Sequence, residues 1–71
     1  MYYEAKLTFE STVAVGRAAK DHDAIALALA DSRTIHDAPP SQVIVAVYRV
    51  TGADRDLAYA QTLREYTRAT N

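Results

Sequence analysis

Ser41-Gln42-Val43-Ile44-Val45-Ala46-Val47-Tyr48-Arg49-Val50 is the densest run of β-branched residues in the chain, and Pro39 and Pro40 stand directly before it. An apolar run of this length, bounded by turn signals and rich in Val and Ile, reads as a strand buried on both faces. Proline can neither continue a helix nor donate to a sheet ladder, so the pair marks where the preceding element has ended. A central strand over residues 42–50 is therefore expected, and the other segments are read by how they cover it.

Upstream, Tyr3, Ala5, Leu7, Phe9, Ser11, Val13 and Val15 alternate with Glu4, Lys6, Thr8, Glu10, Thr12 and Ala14. Period-two alternation with one polar side marks β-structure half on the core and half in water. Residues 2–18 read as a hairpin or as one long, bent strand. A two-residue loop at Glu10-Ser11 would set Phe9 opposite Thr12 and mix the faces. A three-residue loop, Glu10-Ser11-Thr12, would set Phe9 opposite Val13 and keep them, so the hairpin is expected in that form. Gly16 then permits a bulge or close packing.

Asp21-His22-Asp23 opens a helix expected over 22–35, with Asp21 as N-cap and Asp23 favouring the positive end of the helix dipole. Ile25, Ala28, Leu29 and Ile35 share a core-facing stripe, whereas Leu27 falls on the outer side near Ala26 and Ala30. After a polar break at 51–56, residues 57–69 read as a second helix capped by Asp54, with Tyr59, Leu63 and Tyr66 on one face. The alternative is a fourth strand, giving a ββαββ order. In that case the second face of the central strand is left open and self-association is expected. The fold class is thus α+β: a small single sheet with one helix packed on a face, in one domain spanning 1–71.

The composition limits what such a chain does. Hydrophobic residues make up 49%, but fourteen of them are Ala, which bury little area. A single core in so short a chain supplies roughly 3–5 kcal/mol without a staple. There is no Cys and there are only two His, so neither disulfides nor a structural zinc site is expected, and oligomerisation is the staple left open. A net charge of −1 with no polybasic block lowers the expectation of nucleic-acid or anionic-membrane binding. No apolar run reaches the ~20 residues that cross a bilayer. The N-terminus lacks a secretory layout, so the expected compartment is the cytoplasm.

No motif for chemistry stands out. Adjacent side chains at a helix start diverge, so Asp21-His22-Asp23 reads as a capped terminus and not as a metal cluster. His36 beside Asp37 is a general-base pair only if Ser32 or Ser41 meets it, and no nucleophile elbow surrounds either serine. Gly16 and Gly52 lie too far apart for a phosphate loop. No cofactor, metal or catalytic residue is expected. The expected function is a small non-enzymatic module that self-associates and binds another protein, in a layout shared by many small bacterial and phage proteins. Its partner-binding residues would be Leu27, Tyr59, Tyr66, Arg64 and Arg68, because Tyr is enriched in interface hot spots. The alternative is a nucleic-acid-associated accessory protein using Arg17, Lys20, Arg64 and Arg68.

Overall fold

The computed structural model describes residues 1–70, with side chains through Ala69. In chain order it contains β1 (Tyr2–Phe9), β2 (Thr12–Ala18), α1 (Asp21–Asp31), α2 (Arg33–Asp37), a 3-10 turn (Pro40–Gln42), β3 (Ile44–Thr51), β4 (Asp54–Thr62) and α3 (Leu63–Thr70). The four strands form one antiparallel sheet in the order β2-β1-β3-β4. The fold is the expected α+β layout, with β1 and β3 as its central pair.

The hairpin closes through the two-residue loop, not the three-residue one: Phe9 pairs with Thr12, and Glu10-Ser11 forms the turn. Counting from that register, Ala14 and Gly16 fall on the helix-covered face with Leu7 and Ala5, while Val13 and Val15 fall on the opposite face. The reason is the helix. A Cβ at Gly16 would lie 2.1 Å from the Ala24 carbonyl oxygen and 2.6 Å from the Ala28 nitrogen. Small residues must therefore face α1, and the valines are turned away. The tight loop holds Glu10 at φ +54°, a left-handed conformation that costs an L-residue ~1–2 kcal/mol. Glu10→Gly relieves that strain and loses part of the gain to the greater freedom of the unfolded chain. The expected net stabilisation of about 0.5–1 kcal/mol is measurable by urea denaturation at an unchanged m-value.

The helix expected over 22–35 is broken at Ser32, which has extended φ and ψ of −134° and 112°. Ser32 ends α1 and caps α2, its Oγ accepting from the Ile35 N–H at 3.3 Å. A serine caps a helix better than it continues one. The break aims Ile35 fully into the core alongside Ile25. Asp21 is not the N-cap either: Lys20 holds that position without a side-chain bond, and Asp21 begins the first turn.

The segment 57–69 divides between its two readings. It is strand to Thr62 and helix from Leu63. The junction is a capping box: Thr62 Oγ1 accepts from the Glu65 N–H at 3.1 Å, and Glu65 Oε1 accepts from the Thr62 N–H at 2.9 Å. Thr62-Leu-Arg-Glu65 is the sequence signature of such a box, whereas Asp54, the expected cap, starts β4. The Thr62 N–H, and after it the Thr62 hydroxyl, which donates to Glu65 Oε1 at 3.0 Å, hold the Glu65 carboxyl below its ordinary range. A β-bulge interrupts β4, since Val47 pairs with Tyr59 but Tyr48 pairs with Leu57. The extra residue, Ala58, puts Tyr59 and Leu57 on opposite faces, which unbroken alternation would have put together.

All three helices gather on one face. Leu7, Val45, Val47, Ile25, Ile35 and Leu63 belong to a single buried cluster, with Tyr59 and Tyr66 packed against it. Gly52, at φ +57° with open space around it, turns the two-residue β3–β4 loop. The central strand is consequently buried on one side only. Val43, Val45 and Val47 are fully buried, while Ile44 is 47% exposed. No helix among the described residues is long and apolar enough to cross a membrane.

Candidate functional site: the open sheet face

The uncovered face of the sheet is defined by register. Running across β2, β1, β3 and β4, its rows read Val13, Thr8, Ile44, Thr62; then Val15, Lys6, Ala46, Ala60; then Arg17, Glu4, Tyr48, Leu57. Tyr2, Val50 and Arg55 complete its end. Val13, Ile44 and Leu57 are 48, 47 and 58% exposed. These apolar residues stand in two strips, Val13 and Val15 on β2 and Ile44, Ala46, Ala60 and Leu57 on β3 and β4, with the polar column Glu4, Lys6 and Thr8 of β1 between them. An uncovered sheet face that carries several large apolar side chains is a candidate interaction surface.

A charged cluster is set into one end of this field. Glu4 is 8% exposed although it faces away from the core, because two arginines lie over it. Arg17 donates from Nε to Oε2 at 2.8 Å. Arg55 donates from Nε and Nη2 to Oε1 at 2.8 and 2.6 Å. To reach Glu4 from the edge strand, Arg55 crosses β3 and lays its guanidinium on the Tyr48 ring, 3.7 Å from the centroid. This cation–π contact fixes its plane. The Arg55 hydrogen bonds, more than those of Arg17, hold the Glu4 carboxyl below its usual range against the opposing effect of burial. Breaking the alternation at Ala58 is what lets Arg55 and Leu57 lie beside Tyr48.

The residues expected from sequence are distributed elsewhere. Tyr59 is on the helix-covered face, and its hydroxyl donates to Asp21 Oδ2 at 2.9 Å. Burial, reinforced by that carboxylate, pushes its phenol upward in pKa. Tyr66 is half-buried in the same region, its phenol also raised by burial and then by Asp21 and Asp23. Leu27 is 52% exposed on the outer side of α1. Arg64 and Arg68 are exposed on α3, beyond β4. Arg17 lies on β2 at the other edge of the sheet and is engaged by Glu4. Lys20 is exposed directly before α1, and Arg17, on β2, is set apart from Arg64 and Arg68 on α3. Tyr59→Phe should cost about 1 kcal/mol and be visible in thermal denaturation. Because the phenol is raised in the fold, that stability is present below the ordinary value of 10.0 and lost as the pH climbs through the folded value. The variant should lack this alkaline loss.

The other titratable groups form smaller sets. His22 lies between Asp21 and Asp23 with each carboxylate 3.5 Å from its ring, closer than divergent side chains would allow. No set of three His, Cys, Asp or Glu among the described residues is arranged to hold a metal ion. His36 Nδ1 meets Asp37 at 3.1 Å and Arg33 meets the same carboxylate at 2.9 Å. Those two contacts, His36 first, lower the Asp37 carboxyl. Beside them Leu29, Ala30, Arg33 and His36 line an open hollow of about 310 Å³. Ser32, the nucleophile nearest in sequence, spends its oxygen as a cap.

No family model, no curated protein and no solved structure matches the chain.

Sequence reasoning missed Glu4, Tyr48 and Arg55 as a unit. Glu4 and Arg55 are 51 residues apart, and Arg55 fell in what read as a polar loop. One signal was present: a lone acidic residue early in the first strand, with Arg17 near the end of the strand that follows it; Arg55, near the start of β4, gave none.

Proposed function

We propose that this chain is a small non-enzymatic interaction module whose open sheet face is the binding surface, self-associating through it and presenting it to another protein. The observation that supports this most directly is the placement of all three helices on one side of the sheet, which leaves Val13, Ile44 and Leu57 uncovered. Burying an apolar face is what makes a sheet stable, and a thin, alanine-rich core increases the value of a second layer. A four-stranded face about 19 Å by 26 Å contributes about 1,000 Å² over two partners, the lower end for a specific interface. Self-association is accordingly weak and concentration-dependent.

Edge-to-edge pairing is a poorer route. The Ala58 bulge and the charges of Asp54 and Asp56 blunt β4, and such features disfavour strand addition. Sedimentation equilibrium across a wide concentration range tests the reading. The wild-type chain should show a reversible monomer–oligomer equilibrium, and Leu57→Asp should shift it at least about tenfold towards monomer, since a buried carboxylate without a partner costs well over 1 kcal/mol. Leu57 is exposed in the single chain, so its circular dichroism should not change. A wild-type chain that stays monomeric at the highest concentration removes self-association from the reading.

A further inference from the structure

The strand positions of the open face carry three cations, Lys6, Arg17 and Arg55, against one carboxylate, Glu4, a net +2 in a chain whose total is −1. The arginines are also prearranged. Arg17 gives Glu4 only its Nε–H, and among the described residues its two terminal amino groups have no protein partner. Arg55 uses Nε and Nη2 on Glu4 and rests against Tyr48, so its Nη1 takes no part in the Glu4 pairing. Their side chains are 61% and 46% exposed. Guanidinium groups held in place lose less entropy when they bind, and a free pair of parallel N–H groups matches a carboxylate in bidentate fashion.

The geometry points to an acidic protein segment as the partner of this face: its carboxylates take the donors that Arg17 and Arg55 do not give to Glu4, and its apolar side chains cover Val15 and Leu57. Glu4 and Tyr48 act as positioning residues for the two guanidinium groups. This rests on the interaction-module reading and names the chemistry of its partner. A second copy of the chain presents the same +2 face, so like charges oppose it, whereas an acidic segment is drawn to it. The two occupants consequently respond to salt in opposite directions: screening weakens the acidic partner and favours self-association.

The test uses the full ¹⁵N-labelled chain and two blocked peptides, one alternating Glu with Thr and one alternating Gln with Thr. The Glu peptide should bind saturably, shifting the Nε–H signals of Arg17 and Arg55, and should weaken at least about fivefold between roughly 50 and 300 mM salt. Arg17→Lys keeps the charge but removes the fork, so it should weaken the Glu peptide several-fold while its circular dichroism at room temperature stays that of the folded chain. Equal affinity for the two peptides, or no shift from either, overturns the acidic-partner proposal. Tighter binding of a single-stranded oligonucleotide to the same arginine signals overturns it in favour of nucleic acid. The interaction-module reading is judged separately, by sedimentation, and survives either result if the chain self-associates.

Discussion

Gly16→Ala should lower the stability of the folded chain by about 2–3 kcal/mol, and Gly16→Val should leave no cooperative unfolding transition at room temperature. The new Cβ would sit 2.1 Å from the Ala24 carbonyl oxygen and 2.6 Å from the Ala28 nitrogen. Both atoms belong to the α1 backbone, so no side chain can swing aside. Only a rise of the whole helix from the sheet relieves the overlap. That rise withdraws Ala24 and Ala28, each fully buried, from their contacts with β1 and β2. In a domain whose total stability is roughly 3–5 kcal/mol, the alanine variant is marginal and the valine variant is unfolded. Urea denaturation followed by circular dichroism gives the measurement. A loss under about 0.5 kcal/mol for Gly16→Ala would mean that α1 does not lie this close to β2.

Glu4→Gln should be the next largest effect, about 1–2 kcal/mol, and it should change the acid side of the stability profile. The carboxylate accepts three charge-assisted hydrogen bonds from Arg17 and Arg55, and the amide has one acceptor for two guanidinium groups that then repel each other. The loss stays below the ~3–5 kcal/mol of a deeply buried broken pair, because both arginines are about half in water and screened there. The Glu4 carboxyl is lowered from 4.5, chiefly by the Arg55 hydrogen bonds. Its contribution is therefore complete above about pH 4.5 and lost as the pH falls through the lower folded value. The wild-type chain should lose stability over that acid range more steeply than Glu4→Gln, so the two curves converge at low pH. Curves that run parallel would show that Glu4 is not ionised and paired in the fold.

These two positions also show where sequence reading succeeds and where it stops. Part of the strand layout rests on local chemistry. Pro39-Pro40 ends one element and Gly52 allows the tight second turn, and the Val-rich run after the prolines is a strand because β-branched side chains favour the pleated backbone. The helix start near Lys20 and the α+β class are legible for the same reason: dipole charges and periodicity act over a few residues. Thr62-Leu-Arg-Glu65 is equally local, its two halves three residues apart, but it was passed over for a cap at Asp54.

Register and facing are different in kind. The alternation from Tyr3 to Val15 is equally regular for a two-residue and a three-residue loop. What chooses between them is the α1 backbone against Gly16, a contact that exists only once the sheet and the helix are assembled. The bulge at Ala58, which turns Tyr59 to the core and Leu57 to the open face, likewise answers to cross-strand packing and not to the residues beside it. The Glu4 cluster depends on three strands being in place before Arg55 can cross Tyr48 to reach its partner. Sequence by itself determined the α+β class, the strand character of 2–18 and 42–50 and the presence of a helix after Lys20, because those follow from short-range steric and hydrogen-bonding preferences. The break at Ser32 and the division of 57–69 into strand and helix did not follow from it. Which face each element shows, and so the existence of an uncovered sheet face with a prearranged pair of arginines, was decided by tertiary packing, where residues about 50 positions apart compete for the same few ångströms.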